Sequence, residues 1–466
     1  MSSPSQQQQT EFVVEEFYKK REKIQPRKVK GLFAKLRILG VALLLGLYYF
    51  LPWINLNGSQ AVLLDLPARK FHFFGITFWP QDFFYLAVLL IIAALALFFF
   101  TTLAGRLWCG YACPQTVWTE VFMWIEHYVE GDRPQRLKLD KAPMTARKFR
   151  IRGTKHAIWV TFSLWTGFTF VGFFTPIREL GFSLADFSLG PWEWFWILFY
   201  SFATYGNAGW MREQVCTYMC PYARFQSAMF DKDTLIISYD TERGEPRGKR
   251  KRKLDYKSAG LGSCVDCTMC VQVCPTGIDI RDGLQYQCIG CAACIDVCDD
   301  VMERMGYEKG LIRYTTENTL EGKQTHILRP RMILYALVLT GMIIGLGVSI
   351  ATRIPLELNI IRDRNALYRE ASNGLVENIY TLKVINMDEQ SHHYSLDISG
   401  IQGLEVIGLK DEEIQSGEVK EMIISIRVDP IELKSTSTEL LFHIEAVDNP
   451  DIQQDQKARF LGPLVN

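Results

Sequence analysis

The sequence predicts a multidomain membrane protein that joins an α-helical transmembrane bundle, an inserted cysteine-rich module and a C-terminal all-β sandwich. Three observations predict this architecture. Apolar runs recur along the chain, eight cysteines lie between Cys264 and Cys298, and apolar residues alternate with polar ones after about Ile354. The length of 466 residues also exceeds that of one ordinary domain.

Five apolar runs approach the ~20 residues that a helix needs to cross a bilayer. They are Leu36–Trp53, Phe83–Thr102, Ala157–Thr175, Trp192–Trp210 and Met332–Ala351. The first run is not read as a cleaved signal peptide, because its charged leader is long and no small-residue cleavage site follows it. The fourth run ends in the polar stretch 206–209, so a buried helix is the alternative there.

Lysine and arginine counts predict the orientation, since basic loops face the cytoplasm. Segments 1–36 and 104–156 hold eight and ten basic residues, whereas loops 57–82 and 176–190 hold two and one. The N-terminus, the 104–156 loop and the cysteine-rich module are therefore expected in the cytoplasm. An odd number of spans then places the C-terminal part outside. The basic run Lys249–Lys253 is interpreted as a linker that faces lipid headgroups, so the bilayer rather than nucleic acid is the expected partner.

The residues after Ile354 alternate with period two, which is typical of strands with one buried face. About seven short strands over roughly 110 residues predict an Ig-like β-sandwich. The Cys…Trp…Cys signature of true immunoglobulin domains is absent, and no catalytic constellation stands out, so a structural or docking role is expected.

These patterns divide the chain into five consecutive segments. They are a cytoplasmic tail at 1–35, four transmembrane helices at 36–230, a cytoplasmic cysteine-rich domain at 231–330, a fifth transmembrane helix at 331–352 and an exported sandwich at 353–466.

The cysteine-rich domain carries two runs with the bacterial spacing for a pair of [4Fe–4S] clusters, C-x2-C-x2-C-x3-C-P and C-x2-C-x2-C-x3-C. In two-cluster ferredoxins the fourth cysteine of each run binds the other cluster. The first cluster is therefore assigned Cys264, Cys267, Cys270 and Cys298, and the second Cys288, Cys291, Cys294 and Cys274. Zinc and disulfides are the alternatives, but two complete four-cysteine runs exceed what either needs.

The second run departs from the ferredoxin pattern, because Asp299 follows Cys298 where proline is usual. Asp296 and Asp300 are nearby. If these carboxylates are ionised, their negative charge should lower the potential of the neighbouring cluster.

Two further cysteine pairs share the motif C-x3-C-P at the cytoplasmic ends of the second and fourth apolar runs. They are Cys109 with Cys113, and Cys216 with Cys220. Proline disfavours helical geometry in the residue before it and favours the first helical position. The second cysteine of each pair is thus expected at a helix start, where the dipole would lower its pKa. Thiolates select Cu(I), zinc or iron–sulfur clusters. The alternatives are redox thiols and small buried side chains.

The combination resembles the cytochrome c oxidase accessory protein family, known as CcoG, FixG or RdxA. The resemblance rests on WCGYACPQTVWTE at 108–120, CTYMCPYARFQ at 216–226, the eight-cysteine run and the β-rich tail. It implies a membrane-bound polyferredoxin that helps to mature a cbb3-type oxidase by reducing Cu(II) to Cu(I). It also implies that Cys109, Cys113, Cys216 and Cys220 are the membrane motif residues.

The expected cofactors are two [4Fe–4S] clusters, with copper bound transiently. The expected activity is the reduction of Cu(II), so the protein would be a cupric reductase. No G-x-G-x-x-G and no P-loop occurs in the required context, so electrons must come from a partner or from a quinol. Oxidase assembly or copper-delivery proteins are the expected partners, and a homodimer is an open alternative. A quinol-linked conduit to another respiratory enzyme and a structural scaffold are the competing functions.

Overall fold

The computed structural model describes residues 23–56, 59–251, 255–371, 374–409 and 413–463. Most of the tail predicted at 1–35 and part of the basic run 249–253 lie outside the described residues. The chain forms two compact units. We call the first, which comprises residues up to 42, 104–161 and 205–325, the cysteine unit. The second, which comprises 43–103, 162–204 and 326–466, is the sandwich unit. These units collect separate stretches of chain, whereas the five predicted segments are consecutive, so the boundaries of those segments stay predictions.

The helices of the described residues are numbered in chain order. They are α1 Leu32–Phe50, α2 Phe83–Ala104, α3 Leu107–Tyr111, α4 Pro114–Glu130, α5 Arg133–Lys141, α6 Ala146–Val171, α7 Ile177–Ala185, α8 Pro191–Thr204, α9 Pro221–Met229, α10 Thr241–Gly244, α11 Met269–Val273, α12 Ala293–Met305, α13 Glu317–Leu320 and α14 Pro330–Ala351. Two π-helical stretches, Tyr205–Met211 and Val215–Met219, follow α8.

The strands are numbered in the same way. They are β1 Asn55–Leu56, β2 Ser59–Gln60, β3 Val62–Asp65, β4 Lys70–Phe73, β5 Ile76–Phe78, β6 Ile236–Tyr239, β7 Ile312–Thr315, β8 Leu356–Arg362, β9 Arg369–Glu370, β10 Val376–Asn386, β11 His392–Ser399, β12 Glu405–Ile407, β13 Glu413–Ile414, β14 Val419–Val428, β15 Ser437–Ala446 and β16 Asn449–Leu461.

Among the described residues, three helical segments are long and apolar enough to cross a membrane: Leu32–Trp53, Pro80–Ala104 and Pro330–Ala351. They match the first, second and fifth predicted runs. The other two runs differ from simple spans. Helix α6 begins with a polar, basic stretch from residue 146, and α8 ends at Thr204, short of the predicted end at Trp210. These two runs stay proposed spans.

Helices within the sandwich unit meet at polar and small residues. The Tyr85 and Ser349 hydroxyls lie 3.1 Å apart between α2 and α14, and those of Tyr49 and Thr166 lie 2.7 Å apart between α1 and α6. Helix α6 approaches α8 at Gly167, where a Cβ would lie 2.4 Å from the Ile197 carbonyl oxygen. Small residues at such crossings let helices pack closely in lipid.

The C-terminal strands form two antiparallel sheets with strand orders β12-β14-β10-β8 and β13-β11-β15-β16, and β9 pairs with β10. Nine strands are present where the sequence predicts about seven. The shortest of them, β9, β12 and β13, are too brief to show alternation. Side chains with no more than 1% exposure from both sheets fill the space between them, among them Tyr380, Leu382, Ile424, Ile426, Leu440, Phe442 and Phe460. The predicted Ig-like sandwich is therefore observed.

The core of the cysteine unit surrounds a short antiparallel pair, β6 with β7. Ile237 and Tyr239 of β6 and Ile312 of β7 are buried against α12 residues Ile295 and Met302. Cys264 and Cys270 lie in the same apolar cluster. The strand pair and the cysteine loops thus share one apolar core.

Candidate functional site

All twelve cysteines are free thiols. In the first set, burial raises the pKa of the Cys298 thiol, and its neighbours Cys270, Cys264 and Cys267 raise it further. The fourth cysteine of the second run therefore lies among the first three cysteines of the first run. This is the crossed arrangement that the ferredoxin spacing predicts.

The second set has the mirror arrangement. Burial raises the pKa of the Cys294 thiol, and its neighbours Cys291, Cys288 and Cys274 raise it further. The same four cysteines line one small internal cavity, which Cys270 also reaches. Thiols crowded in this way resist deprotonation, whereas iron would hold them as thiolates. Two groups of four neighbouring cysteines, of which only Cys267 is exposed, thus fit two iron–sulfur clusters. No three His, Cys, Asp or Glu side chains in the described ranges converge on a site for one ion. A cubane does not require this, because each of its thiolates binds a different iron.

The two C-x2-C-x2-C loops repeat the same backbone geometry. Asp266 and Gly290 have φ of 48° and 69°, and Thr268 and Ala292 have φ of 56° and 57°. These positive values fall at equivalent places in the two loops, and the second pair starts α11 and α12. A left-handed residue on each side of the middle cysteine thus gives the two loops the same local turn of the backbone.

The first C-x3-C-P motif packs on the second cysteine loop. A Cβ added at Gly110 would lie 2.8 Å from the Gly290 carbonyl oxygen and 3.0 Å from the Cys291 Cα. A Cβ at Gly290 would lie 3.0 Å from the Arg106 carbonyl oxygen. Glycine in both segments therefore allows the membrane motif and the loop of Cys288 and Cys291 to come into backbone contact.

Two buried arginines hold that loop. The Arg106 guanidinium donates to the carbonyl oxygens of Cys288 at 3.2 Å and Ala223 at 2.8 Å, and also to that of Tyr286. Arg37 donates to the Cys291 carbonyl oxygen at 2.5 Å. Sequence reasoning missed both residues. Arg37 carried a signal, since a charged residue inside a predicted span is a functional-site candidate by default.

The three aspartates near Cys298 make local contacts. Asp296 accepts hydrogen bonds from the Phe33 and Ala34 backbone N–H groups at 3.2 and 2.7 Å. Asp299 accepts from the Gly310 N–H at 2.8 Å, and Asp300 pairs with Arg304 at 2.6 Å. Their predicted effect on the cluster potential stays a prediction. Their structural role, which includes capping α1, was not predicted.

The four membrane-motif cysteines are mutual neighbours. Burial raises the pKa of the Cys216 thiol, and Cys113, Cys109 and Cys220 each raise it further. In the same way Cys113 and Cys220 add to the effect of burial on the pKa of Cys109, and Cys220 adds to it for Cys113. Every pair among the four is thus close enough for an electrostatic effect. The structure brings together two motifs that lie 107 residues apart in the chain, as the hydrogen bond between the Gln226 amide and the Cys109 sulfur, 3.3 Å long, also shows.

The second cysteine of each pair lies where the prolines predict. Cys113 and Cys220 are the N-cap residues of α4 and α9, with Pro114 and Pro221 in the first helical position. The expected fall in pKa is wrong for Cys113. Burial raises the pKa of this thiol, and the hydrogen bonds from the Thr116 and Gln115 backbone only partly oppose the rise. Burial also raises the pKa of Cys109 to about 11 and of Cys216 to about 12.

A buried ionic cluster supports α4 below this site. The fully buried Glu126 carboxylate lies 2.9 Å from Arg212, 3.2 Å from Arg136 and 3.6 Å from Lys155. Burial by itself would raise the pKa of Glu126, but Arg212, Lys23 and Lys155 lower it to about 2. Arg212 belongs to the turn that leads into Cys216. The cluster therefore links α4, which starts after the first cysteine motif, to the turn that precedes the second motif.

Comparison with known protein families gives three matches. A model described as "4Fe-4S dicluster domain" matches residues 211–317, and one described as "4Fe-4S binding domain" matches residues 86–128. A third, for the Ig-like fold at the C-terminus of FixG, matches residues 346–463. The first two matches include all twelve cysteines.

Three curated proteins resemble most of the chain. The nitrogen fixation protein FixG of Rhizobium meliloti is 41% identical over 421 residues, which cover 82% of this chain and 80% of that protein. Proteins RdxB and RdxA of Cereibacter sphaeroides are 41% and 39% identical, with 82% and 84% of this chain covered, and 83% and 85% of theirs. A solved structure, the FixG-related protein from Vibrio parahaemolyticus, is 34% identical and matches 24% of this chain and 98% of its own, with a TM-score of 0.22.

Proposed function

This chain belongs to the FixG/RdxA family of iron–sulfur oxidoreductase-like proteins, and from that premise we propose that it assists assembly of a cbb3-type cytochrome c oxidase by reducing Cu(II) to Cu(I). The protein lies in the bacterial cytoplasmic membrane, with its cysteines on the cytoplasmic side and its sandwich in the periplasm. The reduction occurs at the four thiols of the two C-x3-C-P motifs.

The observation that carries the proposal is the direct packing of the first membrane motif on the second cysteine loop. Gly110, next to Cys109, has no room for a side chain because it contacts Gly290 and Cys291. A one-electron reduction needs an electron donor beside the place where the metal binds. Backbone contact between the two cysteine groups supplies that proximity.

The ligand sets are proposed as the sequence assigns them. Cys264, Cys267, Cys270 and Cys298 hold one cluster, and Cys288, Cys291, Cys294 and Cys274 hold the other. When bound, such clusters supply single electrons, at potentials that the protein environment sets between about −700 and +450 mV. Arg106 and Arg37 fix the loop of the second set through its carbonyl oxygens.

Copper is the substrate rather than a resident cofactor. Soft thiolates favour Cu(I) over Cu(II), so binding at Cys109, Cys113, Cys216 and Cys220 assists the reduction. These thiols must lose protons to bind the metal, and burial raises the pKa of three of them. Copper affinity should therefore rise with pH. The four sulfurs are neighbours but do not converge on one ion, so copper binding must draw them together.

The test is replacement of all four membrane-motif cysteines by serine in the full-length protein, purified without oxygen. We expect loss of copper binding and of cupric reduction by the dithionite-reduced protein, while about eight irons per chain are kept, the content of two cubanes. The matched control is Cys267→Ser, which should lower the iron content and spare the membrane motifs.

Two results would contradict the proposal. Equal copper stoichiometry and reduction rate in the quadruple variant would exclude these thiols as the copper site. About twelve irons in the unaltered protein, falling to eight in the variant, would assign the thiols to a third cluster. The family matches at 86–128 and 211–317, which include these cysteines, make that outcome worth measuring.

The partners follow from the same proposal. Oxidase assembly or copper-delivery proteins receive Cu(I), and the exported sandwich is the docking surface for them. The physiological test is deletion of the gene, followed by an oxidase assay with and without added copper. Restoration of activity by copper supports a role in copper supply, whereas a defect that copper does not relieve favours a structural scaffold.

A further inference from the structure

A cavity of about 530 Å³ lies within the cysteine unit. It is bounded by the segment before α1, by α1 and α4, and by the second cysteine loop. Its volume falls in the range of ~300–1,000 Å³ that is typical of small-molecule sites. The proposed function does not use this cavity.

Redox-active residues from both cysteine groups line the cavity. Cys291 belongs to the second set assigned to a cluster, and Cys216 belongs to the membrane-motif thiols. A molecule bound here would therefore contact a residue of each group. This position suits a molecule that exchanges electrons with the protein rather than one that only stabilises it.

The remaining walls favour a ligand that enters from the bilayer. Ile38 lines the cavity and belongs to Leu32–Trp53, which is apolar enough to cross a membrane. Trp124 and Tyr128 of α4 also line it and are 38% and 88% exposed. Exposed tryptophan and tyrosine near the end of a membrane helix mark the interfacial level. The cavity thus borders a helix that is apolar enough to cross a membrane.

One stripe of α4 supplies polar groups at helical spacing. Thr116, Thr119, Glu120 and His127 all line the cavity. His127 and Glu120 carry groups that can accept protons. Burial and the charges of Lys28 and Arg136 lower the pKa of His127, and the charge of Asp132 opposes this fall.

The basic residues exceed the acidic ones around the cavity. Arg136 and Arg212 line the cavity but are paired with Glu126, which leaves Arg27, Lys28 and Arg37 beside Glu120 and Glu213. A positive environment favours a ligand that becomes negatively charged when it loses protons.

We propose that this cavity binds a membrane quinol, which is the electron donor of the protein. Both O–H bonds of the quinol break. Its two protons pass to His127 and Glu120 and then to water, and its two electrons pass one at a time to the iron–sulfur clusters, which leaves a quinone. The inference rests on the proposed function only in that the clusters are the electron acceptors.

Binding is tested by photochemical cross-linking of the full-length protein in nanodiscs with an azido-quinone. We expect labelled peptides from α4 and from residues 24–38, and competition by an unmodified short-chain quinone. Labels confined to the lipid-facing surface of α2 or α14 would overturn the site. This readout does not depend on the clusters.

Electron entry is tested with decylubiquinol as the reductant and the visible absorbance of the clusters as the readout. Thr119→Trp fills the cavity and should slow cluster reduction at least about tenfold, a difference of ~1.4 kcal/mol. Ile125→Trp, on the same helix but outside the cavity lining, should leave the rate within about twofold. His127→Phe should slow reduction and flatten its dependence on pH, because a proton acceptor is lost.

Each variant is first checked for unchanged iron content and for normal reduction by dithionite, so a folding defect is recognised. Equal rates for Thr119→Trp and Ile125→Trp would overturn the quinol site. If decylubiquinol fails to reduce the clusters but the dithionite-reduced protein still reduces Cu(II), the quinol inference is wrong and the cupric reductase proposal stands. If quinol reduces the clusters but the reduced protein does not reduce Cu(II), the quinol inference stands and the cupric reductase proposal is wrong.

Discussion

Gly290 is the residue at which the two cysteine groups meet. Its φ of 69° is not the reason for glycine, since Asp266 has a φ of 48° at the equivalent place in the other loop. The reason is space, because a Cβ at Gly290 would press on the Arg106 carbonyl oxygen at 3.0 Å and carbonyl carbon at 3.1 Å. Backbone atoms cannot move aside as a flexible side chain can.

We therefore predict that Gly290→Ala lowers the iron content from about eight toward four, because the second cysteine loop can no longer seat against the membrane motif. The matched control is Gly306→Ala, with a φ of 76° and no neighbour within 4 Å of the added Cβ. Both variants carry the strain of about 1 kcal/mol for a left-handed alanine. If iron analysis finds the same loss of iron in both variants, backbone strain rather than the contact with Arg106 would be the cause of the loss.

Glu126 is the second residue that organises the cysteine unit. It is fully buried among Arg212, Arg136 and Lys155. Removal of one partner from such a group leaves buried charges without compensation, which is costlier than loss of a surface pair.

We predict that Glu126→Gln destabilises the protein by ~3–5 kcal/mol. Glu303→Gln, which breaks an exposed pair with Lys309, should leave the unfolding midpoint nearly unchanged. Thermal unfolding in detergent measures both variants. Similar midpoints for the two would contradict a stabilising role for Glu126.

The lowered pKa of Glu126 predicts that the folded protein loses stability in acid. The pKa of Glu126 is lowered from 4.5 to about 2 in the folded protein, so its stabilisation is fully present above pH 4.5 and is lost as the pH falls toward 2. The unaltered protein should therefore lose stability over this range. The Glu126→Gln variant should show a smaller loss, because the titrating group is absent.

At the scale of elements, α1 depends on a cap from a distant helix. Asp296 of α12 accepts hydrogen bonds from Phe33 and Ala34, whose N–H groups have no partner inside the first turn of a helix. Gly31 allows this approach, since its Cβ would overlap the Asp296 carboxylate. The start of a candidate membrane helix is thus fixed to the cysteine module.

We predict that Asp296→Ala destabilises the cysteine unit by ~1–2 kcal/mol, the usual effect of removing an N-cap side chain. Asp296→Asn should keep much of the stability, because its amide oxygen still accepts one hydrogen bond. Asp300→Ala, which removes an exposed carboxylate one turn further along the same helix, serves as the control. Thermal unfolding that ranks the alanine variants equally would argue against the cap.

At the scale of the molecule, the membrane orientation is the main prediction. Reporter fusions after Asp255 should be cytoplasmic, and fusions after Asn466 should be exported, because the basic loops favour the cytoplasm and one predicted span, α14, separates the two points. Equal locations at the two points would show that α14 does not cross the membrane. An exported Asp255 fusion would mean an odd number of spans before it, and in that case α6 and α8, which are not among the three strongly apolar segments, are the first to be reconsidered.

The sequence alone was sufficient where a local pattern determines a local result. Cysteine spacing predicted crossed ligand sets, which stay a prediction, and the Cys298 thiol does lie near the first run and the Cys274 thiol near the second. Proline after Cys113 and Cys220 indicated the two helix starts. Period-two alternation indicated the sandwich, because a strand with one buried face must show it.

Only the tertiary structure decided what depends on residues far apart in the chain. It placed Gly110 on Gly290, turned Arg37 and Arg106 toward the second cysteine loop, and set Asp296 at the start of α1. It also reversed the expected pKa shift of Cys113, since burial outweighs the helix start. Burial and contact between distant segments are properties of the packed chain, and no pattern within one segment records them.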